Sequence, residues 1–167
     1  MISEQQAKSF LLPPVVTTTG TVLDMSFDRS GFDYCVIDIF NGTNVTTTQM
    51  WSTIIVSESD TITSATSMTD IVALSGSTAT STTYGFAIPT LDASAIGSLI
   101  TLQFDLKARK KYIGLTLTAS NDGASAHVGA IAKLSRGKVS PITATQRDGI
   151  NLVNTAVNGC FLVVTAQ

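Results

Sequence analysis

Residues 32–40, FDYCVIDIF, decide the fold class. Successive side chains of a strand point to opposite faces, so Cys35, Ile37 and Ile39 share one side and Tyr34, Val36, Asp38 and Phe40 the other. The run is rich in β-branched and aromatic residues. Turn-forming residues bound it, Gly31 before and Asn41-Gly42 after. Its two aspartates lie five positions apart and therefore point to opposite faces of a regular strand. They cannot form the facing carboxylate pair, ~5–9 Å apart, that glycoside hydrolysis needs. Asp33 opens the strand and helps shape the turn after Gly31. Asp38 shares a face with three large side chains, which leaves two readings: a buried face where Asp38 has a partner, or an assembly surface with one polar pin. The second is the expectation here.

Strand signals recur on both sides of this run. TVLDMSF (21–27) precedes it and QMWSTIIVSES (49–59) follows. Two weaker candidates come next, DIVALSG (70–76) and YGFAIP (84–89). SLITLQFDL (98–106), KKYIGLTLTAS (110–120), AHVGAIAKL (126–134) and GCFLVVTA (159–166) complete the series. The connections are rich in Gly, Asn, Asp and Ser. Asn121-Asp122-Gly123 carries a hairpin signal, and LKARKK (106–111) reads as a second tight return. Helical periodicity is confined to LDASAIGSLI (91–100), enough for one short turn capped by Asp92 or Ser94. The pattern predicts an all-β fold, an antiparallel β-sandwich of about eight or nine strands, jelly-roll-like in topology. The sandwich is expected over 21–167, with a long irregular loop at 135–149 before the last strand. Residues 1–20 read as an extended N-terminal arm, because Pro13-Pro14 and the β-branched residues after them disfavour a helix. Phe10, Leu11 and Leu12 make that arm apolar, suited to lie along a neighbour or along the domain's own sheet.

The 167 residues suit one domain large enough to bury a core without disulfides. Only 13% are charged and the net charge is −2, while mean hydropathy is +0.31. Thr and Ser, about a quarter of the chain, supply most of the polarity. Charge is what keeps a free surface soluble, so its scarcity points to a surface covered by neighbours. A homo-oligomer, dimer or trimer, or a larger assembly is expected. No apolar run approaches the ~18 residues of a membrane span, and the charge balance disfavours nucleic acid and membranes as partners. The two cysteines, Cys35 and Cys160, each sit in an apolar strand-like run and read as buried free thiols. MISEQQAKSF has an acid at Glu4 and no long apolar core, so synthesis in a reducing cytoplasm is expected. The sequons at Asn41 and Asn44 then read as turn chemistry.

No catalytic constellation emerges. The one histidine, His127, has no G-x-S-x-G elbow to serve. One histidine and two distant cysteines cannot make a zinc site, DRSGFD and SESD do not match a calcium loop, and no phosphate-binding glycine motif is present. No catalytic residue, metal or cofactor is assigned. The densest charge is Lys107, Arg109, Lys110 and Lys111, flanked by Phe104 and Tyr112. It reads as a solvated turn or as a contact with an acidic partner subunit, ahead of a nucleic-acid tip.

The succession DRSGFDYCVIDIFNGT, WSTIIVSESDT…TDIVAL, RKKYIGLTLTAS and AIAKLSRGKVSP resembles a family of small virion proteins of tailed bacteriophages. The likeness covers roughly residues 22–141. It implies a β-sandwich structural protein of the capsid decoration or cement type, which clamps major capsid subunits on the outside of the shell and has no catalytic residues. The same strand syntax is similar to carbohydrate-binding jelly rolls of the discoidin type. There a sugar site would show exposed aromatics on loops, whereas Trp51 lies inside a predicted strand. The assembly contacts expected from these readings are Phe10, Leu11, Leu12, Asp38, Lys107, Arg109, Lys110 and Lys111, with the major capsid protein and further copies of this chain as partners.

Overall fold

The structure, a computed structural model, describes residues 8–18, 20–42, 51–78, 83–88, 98–120, 127–135 and 160–164. Among them are eleven strands: β1 (Lys8–Val16), β2 (Val22–Asp28), β3 (Tyr34–Asn41), β4 (Trp51–Ser59), β5 (Thr69–Asp70), β6 (Gly76–Ser77), β7 (Phe86–Ala87), β8 (Ser98–Asp105), β9 (Tyr112–Ala119), β10 (His127–Ser135) and β11 (Cys160–Val164). The three shortest have two residues each, which leaves eight longer strands, in line with the sequence expectation.

The strands form two sheets, ordered β1-β10-β3-β8-β11 and β2-β9-β4-β6-β7, with β5 paired to β4. The pairs β1·β10, β2·β9, β3·β8 and β4·β6 are all antiparallel and nest one inside the next. The chain is therefore one long antiparallel ribbon folded back at β4–β6. Alternate pairs of that ribbon fall in opposite sheets, and β10·β3 and β4·β9 seal its successive turns. This is a jelly roll. Both sheets are mixed rather than purely antiparallel, since β11 runs parallel to β8 and β7 parallel to β6. The two expected hairpins do not form. β8 and β9 lie in opposite sheets, as do β9 and β10, so LKARKK and the Asn121-Asp122-Gly123 segment join strands that cross between sheets. Residues 121–126 themselves lie outside the described residues, as do the helical turn expected near Asp92 and the loop from 136 onward.

Period-two alternation fills the core. Cys35, Ile37 and Ile39 of β3 are fully buried, and so are Ile54, Val56 and Trp51 of β4 in the facing sheet. Each large aliphatic side chain so buried contributes about 1.5–3 kcal/mol. Burial also pushes the Cys35 thiol far above its usual pKa, which keeps it neutral and inert. Trp51 carries a polar atom into this core and satisfies it across the sheets, its indole N–H donating to Asn41 Oδ1 at 2.9 Å. Asn41, the first sequon position, is thus buried and committed to structure.

Lys8–Val16, read from sequence as part of an arm, is the edge strand of the first sheet, and Leu12 belongs to the core. Phe10 stacks on Phe27 with ring centroids 5.0 Å apart. The register of β1 on β10 shifts between Leu12 and Val15, where Pro13-Pro14 remove two neighbouring backbone donors.

The segment DIVALSG is broken where a continuous strand was expected. A 3-10 turn at Val72–Leu74 separates β5 from β6. Ser75 then does by side chain what a ladder would do by backbone: Val56 N–H donates to its Oγ at 3.1 Å, and that hydroxyl donates to Ile71 O at 3.0 Å. A second 3-10 turn, Ala65–Ser67, packs on the outer side of the same sheet above Gly114. A Cβ at Gly114 would stand 2.6 Å from Ser57 Oγ and 2.9 Å from Ala65 Cα, so this turn requires glycine beneath it. Gly114→Ala should lower the unfolding free energy by about 1–3 kcal/mol, read as a lower denaturant midpoint at unchanged slope.

Candidate assembly surface

The strand ends divide the charge of the molecule. Asp28, Arg29, Glu58, Asp60 and Asp105 meet the cluster Lys107, Arg109, Lys110 and Lys111 at one end of the sandwich. At the other end the strands pass into the connections 17–21, 43–50, 88–97 and 120–126, whose sequences hold two charges, Asp92 and Asp122, and the segment 136–159 joins β11 there with Arg136, Lys138, Arg147 and Asp148 in its sequence.

At the charged end every cation of the expected basic tip faces a carboxylate of the same chain. Lys107 Nζ lies 3.8 Å from Asp105, Arg109 Nη1 3.9 Å from Glu58, Lys110 Nζ 3.7 Å from Asp60 and Lys111 Nζ 3.7 Å from Asp28. The turn itself is tied down through its backbone. Arg29 donates to the carbonyls of Lys110, at 2.9 Å, and Arg109, and Lys110 N–H donates to Glu58 Oε2 at 3.0 Å. Lys111 also lies 5.0 Å over the Tyr112 ring, while Phe104 is core. Exposed pairs of this kind add little stability each. Their effect is to cancel the charge of a tip that the sequence shows as bare cations.

Asp38 lies on the outer face of the first sheet with 8% of its surface exposed. Thr101 Oγ1 donates to Oδ1 at 2.8 Å and Lys133 Nζ to Oδ2 at 2.7 Å. Both partners stand on the flanking strands, Thr101 directly opposite Asp38 and Lys133 diagonally across from it. Asp38 thus has its partners inside the chain, on a face that is not buried, since Phe40 beside it stays exposed.

Beside it the same face turns apolar. Leu11 of β1 lies opposite Ile131 of β10, and Gly129 opposite Phe40 of β3. Leu11 is 63% exposed and Phe40 42%. The two border a groove of about 370 Å³ at the uncharged end, floored by Gly129 and lined by Pro14, Val128 and Ile131. The groove exists because the proline bulge lifts β1 off register just where β10 carries a glycine. His127 closes its end, its carbonyl accepting the Gly42 N–H at 2.7 Å. An exposed apolar groove of this kind is the surface feature that a contact with another molecule would use.

Of the expected contacts, Leu11 lies on this patch, Leu12 lines the groove from the core, and Phe10 is turned inward against Phe27. Asp38 sits on the same sheet face, and the four basic residues are at the far end. Sequence reading missed Phe40, Gly129 and Ile131. The alternation of FDYCVIDIF already put Phe40 on the outer side, but it could not say which strand lay next to it. Among the described residues no group of three His, Cys, Asp or Glu side chains is placed to hold a metal ion.

The fold is a jelly-roll sandwich with, among the described residues, one charge-compensated end and one end that is apolar and uncharged. No protein-family model and no curated protein matches the chain.

Two measurements probe these sites. Asp38→Asn should cost about 1 kcal/mol and Asp38→Ala about 2–3 kcal/mol, because the alanine leaves Lys133 and Thr101 without their acceptor; urea unfolding reads both. At the charged end, hydrogen bonds from Ser30 to the Asp28 carboxylate, with Lys111 nearby, hold its pKa below the ordinary value. A depressed folded pKa contributes stability above the unfolded value near ~3.9, and that contribution is lost as pH falls through the folded pKa. Asp28→Asn should therefore narrow the stability difference between pH 6 and pH 3, followed by thermal melts across that range.

Proposed function

We propose that the protein is a non-enzymatic structural component of a virion, a bacteriophage capsid decoration or cement protein bound on the shell exterior across major capsid subunits. The observation that carries this reading is the exposed apolar groove bordered by Leu11 and Phe40 at the neutral end of the sandwich. Jelly-roll sandwiches serve as viral capsid domains and as lectins, so the fold admits the role without assigning it. Against a lectin stands Trp51, the one tryptophan, which is buried and hydrogen-bonded in the core. The scarcity of charge fits a surface that is covered while it works.

The mechanism is attachment by buried area. A stable interface of standard size removes about 1,600 Å² from water. The groove supplies an anchor point for that contact rather than the whole of it. Many copies, each held modestly, resist expansion of a shell collectively. Residues 1–20 and 135–149, expected from sequence to reach neighbours, fall partly outside the described residues, and β1 is seated in its own sheet.

Quantitative mass spectrometry of purified particles tests the reading. Hundreds of copies, in fixed ratio to the major capsid protein, are expected. The double variant Leu11→Asp with Phe40→Asp, both exposed, should melt close to the parent and bind shells at least 10-fold more weakly. Six or twelve copies per particle would move the protein to a connector or tail role. Glycan binding with no shell occupancy would make it a receptor-binding module.

A further inference from the structure

β11 stands outside the nested ribbon of eight strands. β11 adds at the β8 edge in parallel, Cys160 opposite Leu99 and Val164 opposite Gln103. Parallel pairing requires the chain to come back before it can pair. Ser135, the end of β10, is level with Tyr34 and Asp105, whereas Cys160 is level with Leu99 and Phe40. The return covers six residues along the strands, ~20 Å, and three strand spacings across, ~14 Å, so about 25 Å in all. Residues 136–159, 24 by number, join the two points. A random-coil link of that length has a root-mean-square span of about 27 Å and a contour length of about 80 Å. It reaches the β8 edge of its own sandwich, and that of any copy set alongside, through the same five-residue register.

The two edges of this sheet are treated differently. β1 carries Pro13-Pro14, which blunts its outer side against further pairing. On the other side SLITLQFD has neither proline nor a basic residue, and CFLVV has neither proline nor charge. Among the described residues the β8–β11 side of the sheet thus carries none of the devices that guard the β1 side.

We infer that β11 is an exchange strand: it completes the β8 edge of a second copy of this chain, while the second copy's β11 completes this one. The contact is isologous and closes as a pair, and its hydrogen bonds are the ones seen within the chain. Whether β11 pairs at home or abroad is then set by how close the copies are held. The inference rests on strand geometry and is independent of the capsid reading.

The register supplies the test. One tagged chain carries Leu99→Cys with Cys160→Ser; the other keeps Cys160 and Leu99. A disulfide between these positions can join the two chains only when β11 of one lies on β8 of the other, at a Cα spacing that suits the bond. The chains are refolded together at about 1 mM, the effective concentration of a short tether, and oxidised. A covalent heterodimer as the main disulfide product is expected, with far less of it when the same chains are refolded and oxidised at 100-fold lower concentration. A control chain carries Leu99→Cys and retains Cys160. If that control closes internally at every concentration and the mixed chains give no heterodimer, the proposal is overturned. Light-scattering mass is read in parallel and does not depend on disulfide geometry. The full chain should be dimeric at about 1 mM and a chain ending at Gly159 monomeric; a monomeric full chain, or equal masses for both, also overturns it.

Discussion

β3 can offer only one of its two sides to the core, and the sandwich is arranged around that constraint. Cys35, Ile37 and Ile39 face inward with no exposure. Both backbone edges of β3 are occupied, by β10 and β8. A one-residue slip on either side would send the aliphatic row to solvent and Asp38 into the core. Register is therefore fixed from the middle of the sheet outward. The Asn41–Trp51 hydrogen bond extends it across the gap, since Asn41 is the next inward position of β3 and Trp51 opens β4 in the facing sheet.

The outer side of β3 is what this constraint leaves over, and it splits into two parts with different chemistry. Toward its middle, Asp38 is closed off by Thr101 and Lys133. Toward the neutral end, Phe40 stands beside a glycine and a displaced edge strand. The same alternation that builds the core thus produces both a sealed polar contact and an open apolar one within two residues. The prolines in β1 and the glycine in β10 would each be unexceptional alone; they combine there because their strands are neighbours.

That adjacency also marks what the sequence could and could not reveal. The faces of β3, the strands before and after it along the chain and the all-β class were legible, because period-two patterning is local. The partners of charged groups were not. Lys133 is 95 residues from Asp38, and Glu58 is 51 from Arg109. A run such as LKARKK looks like a basic tip until the fold brings Asp28, Glu58 and Asp60 to it. The direction of β11 was illegible for the same reason, since CFLVV reads alike whether its neighbour runs with it or against it. The two-residue strands were hidden in DIVALSG by a rule of length, as alternation needs four or more residues to show. There the hydroxyl of Ser75 replaced the ladder that a longer strand would have provided.

The segregation of charge to one end has a colloidal consequence. A layer of these molecules seated by their neutral ends would show water a lawn of tips, each with cations and carboxylates in near balance. Such a coat has little net charge near neutral pH and repels its own kind weakly. Asp28, held below its ordinary pKa by the hydrogen bonds from Ser30, keeps its charge opposite Lys111 further into acid than a free carboxylate would. The surface of the coated object would then be set by the ion pairs within each tip, whatever lies beneath the layer.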